Sequence, residues 1–206
     1  VAEWSDELTS ALNLTWHENS ISKENRREKN GHASFAIWLT GLSGAGKSTL
    51  ANALEIALHQ MDVHTHLLDG DNLRMGINSN LGFSEEDRQE NVRRVSEVAK
   101  LFVDAGIVVI AAIISPMHAD RNQAKQKFDQ NEFFEIFVEC PIDVCQKRDP
   151  KGLYQKALNG QISDFTGIHT PYEPPTHPDV IVPTDQLSVE EGVAKIIEVL
   201  KSRRVL

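Results

Sequence analysis

Two periods of apolar spacing take turns along this chain. Short buried-type runs fall at Phe35-Ala36-Ile37-Trp38-Leu39-Thr40, at residues 63–68, at residues 107–114, at residues 133–138 and at Val180-Ile181-Val182. The run at 107–114 is continuously apolar, as expected of a parallel strand covered on both faces. Helical spacing fills the intervals. Leu50, Leu54 and Leu58 lie on one face of a predicted helix, and Val92, Val95, Val98, Ala99 and Phe102 on one face of another at 85–104. Further helices are predicted at 118–129, at 141–148, where Pro141 opens the first turn, and at 189–203. A charged helix at 22–28, with Ser22 as its cap, precedes them all. Strands alternating with helices imply an α/β fold: three layers around a mostly parallel, five-stranded sheet.

Two stretches break the alternation. The first thirty residues are polar, with Trp4 and Trp16 as exceptions suited to docking on the domain or on a partner subunit. The natural division is an arm at 1–32 and a folded domain at 33–206. Asp149 to Pro178 holds Pro150, Pro171, Pro174, Pro175 and Pro178, with Gly152, Gly160 and Gly167, and has no clear period. A long aperiodic segment inside a compact domain is expected to be a functional lid or a disordered loop.

A net charge of −9 argues against a nucleic-acid surface, which needs clustered Lys and Arg. It leaves room for a local basic pocket. Cys140 and Cys145 lack metal-ligand spacing and suit buried thiols in a reducing cytosol. No apolar run reaches the ~18 residues of a membrane span, and no signal peptide is read at the N-terminus. A cytoplasmic protein is expected. The opening Val1 fits processing, trimming or a longer parent chain.

Between the first strand and its helix lies Gly41-Leu42-Ser43-Gly44-Ala45-Gly46-Lys47-Ser48. In G-x-x-x-x-G-K-S the glycines let backbone N–H groups converge on one anion. The helix N-terminus adds positive potential. Lys47 reaches β- and γ-phosphates and the Ser48 hydroxyl suits Mg²⁺. The motif sits in its proper strand–loop–helix setting, so a nucleoside triphosphate site is expected over 41–49.

Asp69-Gly70-Asp71 follows the second strand at the ligand-binding edge of such sheets. One carboxylate there can serve the metal and the other can accept a proton from an attacking hydroxyl. Arg74, Arg88, Asn91 and Arg94 fit either an anion pocket or a solvated helix face paired with nearby Glu residues. Phe83 and Phe165 sit in loops, where they can stack a base or anchor the loop. Ser115 ends the central strand, and no His–Asp arrangement marks it as a nucleophile. Arg148 and Lys151 open the lid, where cations and exclusion of water aid phosphoryl transfer. His64 and His66 alternate on a strand and do not suggest a metal site.

As an ordered set these residues resemble adenylylsulfate kinase. The match runs from Trp16-His17 to the last strand, through Leu68-Asp69-Gly70-Asp71-Asn72-Leu73-Arg74, Leu81-Gly82-Phe83-Ser84, Glu90-Asn91-Val92-Arg93-Arg94, Ile114-Ser115-Pro116, Arg148-Asp149-Pro150-Lys151-Gly152-Leu153-Tyr154 and Phe165-Thr166-Gly167-Ile168. The resemblance implies a P-loop NTPase-type fold and transfer of the ATP γ-phosphoryl to the 3′-hydroxyl of adenosine 5′-phosphosulfate, in sulfate assimilation. It implies Asp71, Lys47 and Ser115 as catalytic residues, with Asp71 the base and Ser115 a substrate contact, since in-line transfer needs no phosphoserine. It implies Gly41 to Thr49 and Arg148 on ATP, with Thr184 nearby. Asp71, Arg74, Phe83, Arg88, Asn91, Ile114, Ser115, Lys151 and Phe165 would hold the acceptor, and Ser48 and Asp69 the Mg²⁺. A homodimer is implied, as is fusion to or association with ATP sulfurylase. Met75-Gly76-Ile77 departs from the expected His-Gly-Leu, and the N-terminus lacks the cysteines of redox-controlled plant members. The competing readings are another metabolite kinase, of gluconate- or adenylate-kinase type, and a nucleotide-binding regulatory domain without turnover.

Overall fold

The structure, a computed structural model, describes Thr15, His17 and residues 19–206. The expected docking of Trp4 and Trp16 lies outside those residues. Five parallel strands form one sheet in the order β2-β3-β1-β4-β5. They are β1 (Ala36–Thr40), β2 (Thr65–Asp69), β3 (Val108–Ala112), β4 (Phe133–Glu139) and β5 (Val180–Pro183).

Strand β1 shows why the sheet is buried on both sides. Phe35, Ile37 and Leu39 join one core with Leu50, Leu54 and Leu58 of α2 (Lys47–His59) and Ile196 and Leu200 of α8 (Val189–Ser202). Ala36 and Trp38, pointing the other way, join a second core with Val92, Val95, Ala99 and Val103 of α4 (Glu85–Asp104). α5 (His118–Lys125) adds Ala124 to that second core. The period of 2 in the strand and of 3.6 in the helices together produce the three layers. Helix α1 (Lys23–Asn30) is tied to the body by polar contacts. Lys23 pairs with Asp129 and Glu132, Arg27 with Glu132, and Asn30 donates to the Gly106 carbonyl at 2.8 Å.

Two predicted elements came out differently. Asp69-Gly70-Asp71 is more than a turn: it opens α3 (Gly70–Arg74), with the Asp69 carboxylate accepting from the Asp71 N–H at 2.9 Å. The proline-rich stretch is also better built than its composition suggests. After α6 (Ile142–Arg148) comes α7 (Leu153–Leu158), whose first N–H groups donate to the Asp149 carboxylate. Tyr154 is buried, and its hydroxyl donates to the Ser43 carbonyl of the phosphate loop at 2.9 Å. Downstream, Tyr172 bonds Thr40, and Glu173 is held by Pro116, His118 and Arg121. Local capping and long-range anchors supply the order that periodicity did not reveal. Among the described residues no helix is long and apolar enough to cross a membrane.

Candidate active site

The carboxyl ends of the strands open into one cleft of about 1070 Å³. That reaches the top of the ~300–1,000 Å³ range usual for small-molecule pockets, with room for two nucleotide-sized ligands. One half is lined by Ser43, Gly44, Gly46, Lys47, Ser48 and Thr49, the other by Asp71, Arg74, Phe83, Arg88 and Asn91.

Backbone geometry dominates the first half. Gly41 passes so close to β4 that a Cβ there would lie 2.4 Å from the Val138 carbonyl oxygen. Gly46, at φ +96°, is the N-cap of α2 and offers no side chain to its first N–H groups. That first turn also has no acidic residue. Helices α4 and α8 differ: each is capped by a serine hydroxyl, Ser84 and Ser188, and starts with acidic residues. The N-terminus of α2 therefore keeps its N–H groups and positive potential for an external anion. Lys47 Nζ donates to the Gly41 and Leu42 carbonyls at 2.8 and 2.7 Å. Burial pushes its ammonium down to about 8. Ser48 Oγ donates to Asp69 Oδ2 at 2.6 Å, so a hydroxyl and a carboxylate share one point beside the loop. Two hard oxygen donors suit Mg²⁺, which takes few protein ligands and completes its shell with phosphate oxygens and water. Arg148 reaches the far end of this half. It donates to the Thr184 hydroxyl and carbonyl, and Thr184 Oγ1 in turn donates to the Ala45 carbonyl at 2.8 Å.

Side chains from separate elements build the second half. The exposed Asp71 carboxylate forms an ion pair with Lys151, which reaches it from the start of the lid. Arg74 donates to the Leu81 and Gly82 carbonyls and lies 4.3 Å from the centroid of the Phe83 ring. Arg88 approaches the same ring at 5.8 Å and donates to the Phe83 and Asp164 carbonyls. Both guanidiniums thus bond carbonyls, with the carboxylates of Asp71 and Asp87 near Arg74 and that of Asp164 near Arg88 offsetting their charge only in part. Burial lowers the proton affinity of both, and in Arg88 the charge of Arg74 adds to it. An anionic ligand would relieve this repulsion. Phe83 keeps 55 % of its surface exposed, whereas Phe165 is 8 % exposed and packs edge-on against Tyr154 at 4.9 Å. Both line the cleft, but only Phe83 has a largely free ring.

Ser115 and Arg94 are each held by partners of their own. The Ser115 hydroxyl is 3 % exposed and accepts the Trp38 indole N–H at 3.1 Å, with its residue at φ +39°. Ser115 lines the cleft beside Ile114 with its hydroxyl engaged by Trp38. Arg94, grouped with Arg88 and Asn91 by spacing, turns away to Glu90, Asn80 and the Ile77 carbonyl. Sequence reasoning also missed Arg121. It is buried, pairs with Glu135 at 2.8 Å, and donates to the Ser115 and Glu173 carbonyls at 2.7 Å each. Its pattern on a short helix gave no sign of this.

A family model described as adenylylsulphate kinase matches residues 33–183. The chain belongs to the adenylylsulfate kinase family. It is 55 % identical over 190 residues to a probable adenylyl-sulfate kinase of Halalkalibacterium halodurans, covering 92 % of this chain and 94 % of that one. It is 50 % identical to the adenylyl-sulfate kinase of Staphylococcus haemolyticus, over 97 % of this chain and 100 % of that one. Among solved structures, the Mycobacterium tuberculosis APS kinase CysC in complex with AMPPNP and APS superposes with a TM-score of 0.78 at 42 % identity, covering 82 % of this chain and 99 % of that one. A gluconokinase from Sinorhizobium meliloti superposes with a TM-score of 0.54 at 16 % identity, over 84 % of this chain and 95 % of that one, which shows a shared fold alone.

Proposed function

We propose that this adenylylsulfate kinase transfers the γ-phosphoryl of ATP to the 3′-hydroxyl of adenosine 5′-phosphosulfate, giving 3′-phosphoadenosine 5′-phosphosulfate and ADP. The observation that carries the residue roles is the single cleft, which joins an uncapped helix N-terminus to two neighbouring guanidiniums and an exposed aromatic ring.

The phosphate loop and the first turn of α2 hold the β- and γ-phosphates through backbone N–H groups. Lys47 swings from the Gly41 and Leu42 carbonyls to the transferring oxygens, where the phosphate charge favours its protonated form. Ser48 and Asp69 would hold Mg²⁺, which neutralises charge on the triphosphate. Asp71 accepts the proton of the attacking 3′-hydroxyl. Its pairing with Lys151 holds the carboxylate in place at the cleft until the acceptor arrives. Arg74 and Arg88 hold the phosphosulfate, Phe83 stacks the acceptor adenine, and Phe165 with Ile114 and Ser115 walls the site. Asn91 donates to the acceptor from the floor of α4. Arg148 and Thr184 border the ATP base. In-line transfer of this kind relies on positioning and charge stabilisation, which this arrangement supplies. The segment 149–178 closes over both ligands, hinged on its anchors at Asp149 and Glu173, and excludes water.

ADP release measured with adenosine 5′-phosphosulfate, gluconate and AMP as alternative acceptors tests the assignment. Turnover is expected with the first compound; turnover with either of the others and none with the first would overturn it.

A further inference from the structure

Asn78 lies outside the lining of the cleft and is fully buried, with 0 % of its surface exposed. Its bonds nonetheless reach three parts of the acceptor half: α3, the loop after it and α4. Its backbone N–H donates to the Leu73 carbonyl at 2.9 Å, fastening the loop to the end of α3. Its carbonyl accepts from the Leu81 N–H at 3.1 Å, closing the turn that presents Leu81 and Gly82 to Arg74 and leads into Phe83. Its side-chain Nδ2 donates to Asn91 Oδ1 at 3.0 Å. Its own Oδ1 is buried without a hydrogen-bond partner among the described residues.

An orphaned buried carbonyl is costly, and core positions that need only volume are filled by apolar side chains. A leucine would fill this place without the orphan. The amide earns its position through the one bond it does make. With Oδ1 of Asn91 turned towards Asn78, the amide is oriented with its Nδ2 protons on the side of the cleft. An acceptor carrying phosphosulfate and ribose oxygens needs donors there. The reversed pair, with Asn91 donating to Asn78, would turn a carbonyl towards an anion.

We infer that Asn78 is a positioning residue of the acceptor site, fixing Asn91 as a hydrogen-bond donor and holding the loop that carries Phe83 and the carbonyl partners of Arg74. The inference rests on the acceptor reading of the Arg74, Phe83, Arg88 and Asn91 half.

The test is steady-state kinetics of Asn78→Leu and Asn78→Asp, with ATP and adenosine 5′-phosphosulfate varied separately, alongside thermal unfolding of each variant. Asn78→Leu removes the bond and the orphan together. It is expected to raise the KM for the acceptor by on the order of 10-fold, as for a lost hydrogen bond to a charged group. The KM for ATP should stay within about twofold, and Tm should change little, because the Asn78 orphan is removed while Asn91 Oδ1 loses its donor. Asn78→Asp keeps a bonded pair but makes Asn91 the donor to it, so the acceptor KM should rise although the contact survives. A lower Tm with both KM values at their original level would mean a purely structural residue and would overturn the proposal. An unchanged acceptor KM in both variants would overturn it too, while leaving the acceptor assignment standing. If the unmodified chain does not phosphorylate adenosine 5′-phosphosulfate at all, the assignment falls and this inference falls with it.

Discussion

The two halves of the cleft are made in different ways. The donor half is nine consecutive residues, Gly41 to Thr49, and its working groups are mainly backbone N–H groups held by a close approach to β4 and by an uncapped helix. The acceptor half draws side chains from α3, the loop after it, α4, the end of β3 and the lid. Backbone groups in a rigid strand–loop–helix unit can bind any triphosphate. Side chains gathered from five places can be exchanged one at a time. A fold shared with a gluconokinase at 16 % identity is compatible with this division, since one fold can carry sites of different specificity.

The comparison breaks most sharply at the point where the halves meet. Asp71→Asn should lower kcat by roughly 10²–10⁴-fold, the usual worth of a positioned base, with the KM for ATP little changed. Near-normal kcat would remove Asp71 from the chemistry.

The two phenylalanines sharpen it next. Phe165→Ala empties a buried site against Tyr154 and should cost ~3–5 kcal/mol of stability in denaturant titrations. Phe83→Ala, at an exposed ring, should leave stability almost untouched while weakening acceptor binding by roughly 1–3 kcal/mol, as for a lost stacking partner. Equal effects of the two changes on stability would show that Phe83 is also an anchor.

The smallest expected effect concerns pH and belongs to the donor half. In the proposed site ATP needs the Lys47 ammonium, which is half protonated at about 8, largely protonated a pH unit lower and lost as pH rises through that value. ATP affinity, measured calorimetrically at a series of pH values, should therefore be greatest below about 8. Above it, affinity should fall by up to about tenfold per pH unit, with one proton taken up on binding. A flat affinity up to about pH 9, in the same sense of linkage, would show that Lys47 stays charged without ATP.

Legibility in the sequence follows the same division. Among the described residues, period and motif sufficed for the five strands, the six longer helices and the phosphate loop, because each depends on contiguous residues. The acceptor residues were nameable only as a set that resembles a known family. By spacing alone Arg94 was equal to Arg88, yet it faces Glu90 and Asn80. Phe165 was equal to Phe83, yet it is buried by Tyr154. Partners 76 and 111 residues away, such as Asp164 for Arg88 and Ser43 for Tyr154, leave no local trace in the chain. The same holds for α7, where a single carboxylate, Asp149, caps a helix in a stretch dominated by proline and glycine.

The central claim is that one cleft brings a triphosphate and a second nucleotide together across Asp71. Its most direct test is the structure of the product made from ATP and adenosine 5′-phosphosulfate, read by phosphorus–proton correlation NMR. The account predicts a new phosphate on the 3′ ribose oxygen, formed in step with ADP. Phosphate released to water, or retained on Ser115 of the protein, with no 3′-phosphorylated nucleotide, would contradict it.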